Sequence, residues 1–421
     1  MKNSLFVIII CLAGALQMFM LSSCKKSDPD PVPVNYNIQL GAILDLSGIY
    51  SEEGLAAKAA LEIGISDLNQ KYQLAGSPVR FKYVFRDSSL DTAKALSAAR
   101  EMYGQGVRFL VGGPNTSSEL NAMMPYLNAN KMVVLNCFAT SPALAIPDDY
   151  IFRLIPDDNV QGRATARMLQ YDGIKALVPV WRDDAYGNGL HQSTKEQFTS
   201  LGGTVYSGVS YPGGSVSYSE IMGSAATQVE AASAQYGASK VAVLLVSYQD
   251  AVEFFKAAAP INSLKNVGWY GCDANAKKTA LTLDAEAASF AHDVNFLAPV
   301  MAIGTATFVP DPAREIAARI KSITGSDPDD MAISVYDAVM IYGQCYNLVG
   351  QSDATFVKAV LPSVCASYNY LGISRRLNPA GDLARSNYIF WNINQTSGSW
   401  TWNSYGTYFA DGDYIQIKQK K

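Results

Sequence analysis

Short β-branched or apolar runs alternate with amphipathic stretches from about residue 38 to about residue 270, and that alternation restricts the chain to an α/β architecture with parallel sheets. Strands are expected at 38–45, 79–86, 107–111 and 131–136. Between them Leu61, Ile65 and Leu68, then Leu120, Met124 and Leu127, recur at helical spacing and should pack on the sheet. A second series starts near Asp157, with strands expected at 175–180, 204–210, 240–246 and 266–270 and a helix from Tyr218 to Tyr236. The fold class is therefore α/β, with two doubly wound parallel-sheet lobes. Residues 311–349 read as helical again, ending near Gly350, and the Trp-, Tyr- and Asn-rich tail from Asn387 reads as strands and turns covering an edge of the second lobe.

Doubly wound sheets bind ligands outside the carboxyl ends of their strands, and the polar motifs fall there. Gly112-Gly113-Pro114-Asn115-Thr116-Ser117-Ser118 follows the third strand and Cys137-Phe138-Ala139-Thr140-Ser141-Pro142 the fourth. A helix N-terminus carries orphan N–H donors and a partial positive charge. Thr116 and Thr140, each crowning such a terminus, would hold a small carboxylate between them. Cys272-Asp273 ends the last short run of the second series. An acid facing a carboxylate trap suits a zwitterion, because a buried ammonium without a partner is costly.

Five segments in register resemble the leucine/isoleucine/valine-binding family of type I periplasmic solute-binding proteins. They are Ile38 to Gly48, Phe85 to Asp91, the two hydroxyl turns with the Asp273 segment, Asp184-Ala185-Tyr186-Gly187, and Ser247-Tyr248. The resemblance runs from about residue 38 to about residue 414. It implies two lobes joined by a three-strand hinge, with 37–156 and 300–373 in lobe one and 157–299 and 374–421 in lobe two. It also implies that Thr116, Ser117, Phe138 (through its backbone), Ala139 and Thr140 meet the ligand's carboxylate, that Asp273 meets its ammonium, and that Tyr186 and Tyr248 line the side-chain pocket. Such proteins are usually monomers that present a small-molecule ligand to an ABC-type permease.

Each of these residues has a plainer use. Thr116 and Thr140 are good N-caps anywhere, Asp273 could cap a helix, and single tyrosines are often core. Phe138 stands where the family commonly has a small residue. Where many amino-acid binders carry an aromatic ring this chain has Glu53, with Tyr50 three residues earlier. Pointing in, Glu53 would allow a second cationic group on the ligand; pointing out, it is a first-turn helix acid. Asp87 and Asp91 read as structural. The 327–330 acidic turn lacks the spacing and glycine of a calcium loop, so no metal is expected.

The N-terminus sets the compartment. Met1-Lys2-Asn3, an apolar run to Leu21 and Ser22-Ser23-Cys24 form a secretory signal (1–23) with a lipobox-like end, followed by a Pro-rich tether over 24–36. Acylation at Cys24 would anchor an exported domain by lipid alone, in the periplasm or on the cell surface. Of six cysteines, four then remain. Cys345 and Cys365 lie on neighbouring expected helices and could pair, although spacing does not supply the Cα geometry that a disulfide needs. Cys137 and Cys272 flank the two halves of the pocket and should stay free.

A net charge of −4 excludes a basic face for nucleic acid. With two histidines, no Gly-x-Ser-x-Gly elbow and no Gly-rich phosphate loop carrying Lys, an enzyme scores lowest, and no cofactor is expected. Two readings remain. One is a lipid-anchored binding protein closing on a small zwitterion, an amino acid, for an ABC-type transporter. The other is a sensor or surface scavenger of the same fold that binds a small carboxylate without a dedicated permease.

Overall fold

The computed structural model describes residues 37–418; the signal and the whole tether, Cys24 included, lie outside the described residues. The first sheet is wholly parallel, in the order β2-β1-β3-β4-β5, from β1 (Asn37–Leu44), β2 (Arg80–Asp87), β3 (Phe109–Gly112), β4 (Val133–Asn136) and β5 (Ile151–Arg153). Strands β3 and β4 are buried at every position, as continuous apolar runs in a sheet covered on both faces should be. Helices α1 (Ser51–Leu74), α2 (Thr92–Gly104) and α3 (Ser117–Ala129) supply the crossovers. Leu61, Ile65 and Leu68 of α1 and Leu120, Met124 and Leu127 of α3 are all buried. At roughly 1.5–3 kcal/mol per fully buried large apolar side chain, these two faces account for much of the adhesion of helix to sheet. At Gly54, near the start of α1, a Cβ would lie 1.7 Å from the Asp45 carbonyl oxygen. Only glycine permits that approach, which seats α1 against the end of β1.

The second sheet runs β10-β9-β6-β7, with β8 also on β6, and is likewise parallel. It comprises β6 (Ala176–Arg182), β7 (Thr204–Val205), β8 (Val209–Tyr211), β9 (Val241–Val246) and β10 (Gly268–Tyr270). The single strand expected over 204–210 is two short ones, because Gly208 takes φ +69° beside the Pro179 carbonyl. Its crossover helices are α4 (Asp158–Tyr171), α5 (Ala185–Ser200), α6 (Tyr218–Tyr236) and α7 (Ala251–Ala258), with short helices α8 (Asn262–Lys265), α9 (Thr279–Leu283) and α10 (Ala285–Asp293) after them.

Beyond β11 (Ala298–Ala302), helices α11 (Asp311–Thr324), α12 (Asp330–Val349) and α13 (Ala354–Ser367) return to the first sheet, where α12 packs on α1 and β3. Tyr342 of α12 reaches the Leu110 carbonyl at 2.9 Å. The chain ends in an antiparallel sheet, β11-β12-β13-β14, formed with β12 (Asn387–Thr396), β13 (Ser399–Phe409) and β14 (Tyr414–Ile417). A parallel bridge from Tyr270 to Leu297 joins it to the second lobe. The chain thus passes between the lobes three times: after β5, after β11, and between α13 and β12.

Cys345 and Cys365, a pair that could have bridged, are buried free thiols, as are Cys137 and Cys272. Among the described residues no helix is long and apolar enough to cross a membrane, and no cluster of three or more His, Cys, Asp or Glu could hold a metal ion.

His191 on α5 stacks on Trp181 with ring centroids 3.9 Å apart. Burial, with a smaller contribution from Lys195, lowers its pKa to about 4 from an ordinary 6.5. Between those values the unfolded chain binds a proton that the folded chain refuses, so stability should fall as pH drops from 6.5 toward 4. Thermal melts from above that range down through it should show wild type losing more stability than His191→Phe on acidification, with the difference between them constant above the ordinary histidine pKa.

Candidate ligand-binding cleft

Between the carboxyl ends of the two parallel sheets the lobes enclose a cavity of about 10 Å³, the least space that holds one water. Tyr50, Asn115, Thr116, Ser117 and Phe138 line it from the first lobe, and Tyr186, Tyr248, Asp273 and Ala274 from the second. Tyr248 packs edge-on to Tyr50 and stacks with Tyr186, both at 5.7 Å, so three tyrosines form one aromatic cluster. Tyr50 therefore supplies the ring that Glu53 does not.

The first-lobe wall is built by hydrogen bonds within the chain. Asp45, fully buried, accepts from Gly48 N (2.6 Å) and Tyr50 N (2.8 Å), fixing the turn that carries the Tyr50 ring. The Asp45 N–H donates to Asn115 Oδ1 at 2.7 Å. That bond orients the Asn115 amide and leaves its Nδ2, also buried, without a partner. Ser117 Oγ accepts from the backbone N–H groups of Thr140 (3.1 Å) and Ser141 (3.0 Å). A hydroxyl that accepts twice still has its proton to give.

The donors expected here are otherwise engaged. Thr116 caps α3 in a reciprocal capping box, its hydroxyl donating to Glu119 Oε2 at 2.7 Å. The N–H groups of Phe138 and Ala139 both donate to Asn136 Oδ1, at 2.8 and 2.7 Å. Thr140 crowns no α-helix: Ser141 caps a single 3-10 turn at Pro142–Leu144. The Thr140 hydroxyl is buried on the Asp158 side, and neither Thr140 nor Ala139 lines the cavity. Tyr50, Asn115 and Ala274 line the cavity although sequence reasoning did not name them as site residues; of these Asn115 brings a polar amide group. Its signal was its place one residue before the helix cap.

On the second-lobe wall, Asp184 caps α5 by accepting from Tyr186 N and Gly187 N, which places the Tyr186 ring at the cleft. The Tyr186 hydroxyl donates to Asp273 Oδ1 at 2.5 Å, and Asp273 N donates to Gln161 Oε1 at 2.9 Å. Burial raises the Asp273 carboxyl above its ordinary range, against the bonds from Tyr186 and Gln161 that lower it. Asp158 at the start of α4 is pushed well up by burial and by Asp273, against the Thr140 hydroxyl and Arg153, which lower it. One wall thus presents unpaired donors, and the other a pair of buried acids whose carboxyls burial holds above their ordinary range although Arg153 acts on Asp158 and Lys278 on Asp273.

A family model described as a periplasmic binding protein matches residues 37–390. The chain belongs to the type I periplasmic binding protein family. This family is extracytoplasmic, binds small-molecule solutes and works with ABC transporters. The binding protein is 25% identical over 399 residues to an uncharacterised protein, MJ1266, of Methanocaldococcus jannaschii, covering 90% of this chain and 91% of that one. It has the fold of the branched-chain amino acid transporter substrate-binding protein LivJ of Streptococcus pneumoniae, solved with isoleucine (TM-score 0.70, 17% identity, 87% of this chain and 99% of that one). A solute-binding protein from R. palustris, solved with 4-hydroxybenzoate, is equally similar in fold (TM-score 0.70, 16% identity, 90% and 98%).

Glu53 of the binding protein is not an exposed first-turn acid. It is buried and ion-paired with Lys278 of the second lobe, itself almost fully buried. Burial, only partly offset by Lys278, raises the Glu53 carboxyl to about 7. Burial acts to lower Lys278, but the carboxylates of Glu53 and Asp329 outweigh it and hold the ammonium above its ordinary value. Lys278 Nζ lies 4.5 Å from the Tyr50 ring centre. Beside it Thr279 donates to Glu52, a second cross-lobe contact.

Proposed function

We propose that this chain is an exported, lipid-anchored solute-binding protein that closes on a small zwitterion, an α-amino acid, and delivers it to an ABC-type permease. The observation that carries this reading is the polarity of the cavity. Asn115 Nδ2 and the Ser117 hydroxyl on one wall suit a carboxylate, while Asp273, backed by Asp158, suits an ammonium on the other. Phe138 and the three tyrosines suit an apolar side chain. At about 10 Å³ the cavity must widen to admit such a ligand, so binding couples to parting and reclosing of the lobes.

The four rings also favour a second reading, in which the ligand is an aromatic carboxylate like that of the R. palustris protein and the acids stay protonated behind it. Titration calorimetry on single variants tests the shared element. Asn115→Ala and Ser117→Ala should each weaken carboxylate binding about tenfold, the loss of roughly one charge-assisted hydrogen bond. Unchanged affinity in both would remove the carboxylate from this wall.

A further inference from the structure

Beside the aromatic cavity lies a second and larger one of about 240 Å³, walled by Glu52, Glu53 and Ala56 of α1, by Lys278 of the other lobe, and by Asp327 and Asp329 before α12. Its charge is unbalanced, with four carboxylates against two lysines on its walls. Most of these groups are already committed. Glu52 accepts from Thr279, Asp327 pairs with Lys321 at 2.7 Å, and Asp329 caps α12 through Ala332 N at 2.8 Å. Lys277 is turned to the Pro328 carbonyl at 3.0 Å and to the Trp391 ring.

Glu53 is different. Oε1 holds Lys278, while Oε2 is buried and has no hydrogen-bond partner, in a residue only 6% exposed. A carboxylate oxygen in such a place costs free energy unless a donor reaches it. The volume admits a primary ammonium or guanidinium with a few carbon atoms, and the surplus of acids gives it the right field.

We infer that this interlobe cavity is a binding site for a small organic cation, an amine or guanidinium, whose N–H groups pair with Glu53 Oε2. Lys278 is the tethered cation that shares the same carboxylate, so it competes with the guest and limits its affinity. The Tyr50 ring, with Lys278 Nζ on its face, stands between this site and the aromatic cavity. The cation can therefore arrive as a free amine or as the distal amine of a molecule whose other end lies in the cleft. The free-amine arm of the test does not depend on the cleft taking a zwitterion.

The test is titration calorimetry of the full chain with methylammonium and butane-1,4-diamine, and with lysine against norleucine. Glu53→Gln should weaken the amines at least tenfold. Lys278→Met, which removes the tethered competitor and keeps its apolar stem, should strengthen methylammonium at least tenfold and regain thermal stability when it is added. Lysine binding tighter than norleucine in wild type but not in Glu53→Gln assigns the cation to the cleft's own ligand. Binding of the free amines without that difference assigns it to a separate molecule. No amine binding to either wild type or Lys278→Met, or equal binding to Glu53→Gln, overturns the site; the Lys278→Met arm decides if Glu53→Gln does not fold.

Discussion

Asp382→Ala is expected to lower the stability of the folded chain by about 3–5 kcal/mol, the usual cost of stranding one partner of a buried ion pair. Asp382 receives Arg153 Nε at 2.5 Å and Nη2 at 2.7 Å, and neither side chain reaches solvent. The pair joins β5 to the last passage between the lobes, 229 residues later. Arg153 Nη1 donates in turn to the carbonyls of Ala139 (3.0 Å) and Ser141 (2.9 Å), so the same guanidinium props the turn that carries Phe138. Without Asp382 that charge stays buried with two carbonyls as its hydrogen-bond acceptors and Asp158 as its nearby acid. Urea unfolding followed by circular dichroism measures the loss. The double variant Arg153→Met/Asp382→Leu should recover most of it, because an apolar pair of similar volume is often neutral. A loss below about 1 kcal/mol in the single variant would mean that water reaches the guanidinium.

Asp273→Asn is expected to weaken binding of an α-amino acid by roughly tenfold to more than a hundredfold. A hydrogen bond to a charged group contributes about 1.5–3 kcal/mol net, and each 1.4 kcal/mol is about tenfold in affinity. Asparagine retains the shape and can still accept from Tyr186, so the change isolates charge. The loss should be confined to ligands that carry an ammonium; the matching des-amino acid should bind wild type and variant alike. Titration calorimetry of both compounds against both proteins separates a charge effect from collapse of the Tyr186–Asp273 contact.

The strand ends were legible because hydrophobic periodicity and Gly punctuation mark them locally. The lining residues Thr116, Ser117, Phe138, Tyr186, Tyr248 and Asp273 were nominated by the resemblance to the leucine/isoleucine/valine-binding family, with the strand ends placing their segments at one edge of the sheets. What they bond to was not legible. Asn136 lies two residues before Phe138, yet nothing in composition shows its side-chain Oδ1 taking the Phe138 and Ala139 donors. Ser117 meets Thr140 and Ser141 only once β3 and β4 pair. Glu53 illustrates the limit best. As a first-turn acid it satisfies helix electrostatics unaided, and its partner Lys278 lies 225 residues away on the other lobe. Strand β11 escaped notice because its short run, Ala298–Ala302, joins no parallel βαβ unit and pairs antiparallel with the distant tail, Ala298 opposite Trp391.

The central claim is that the cleft is built for both poles of a zwitterion, and a thermal-shift series on the full chain tests it most directly. The chain would first be unfolded and refolded to strip carried-over ligand, then screened against the amino acids, their des-amino acids and their decarboxylated amines. A ligand at a hundred times its dissociation constant adds about 2.7 kcal/mol of stability, which is readily seen. Stabilisation by one or more α-amino acids, lost when either the ammonium or the carboxylate is deleted, is the result predicted. Stabilisation by a plain or aromatic carboxylate, with no response to any amino acid, would contradict it and leave Asp273 as no more than the acceptor of Tyr186.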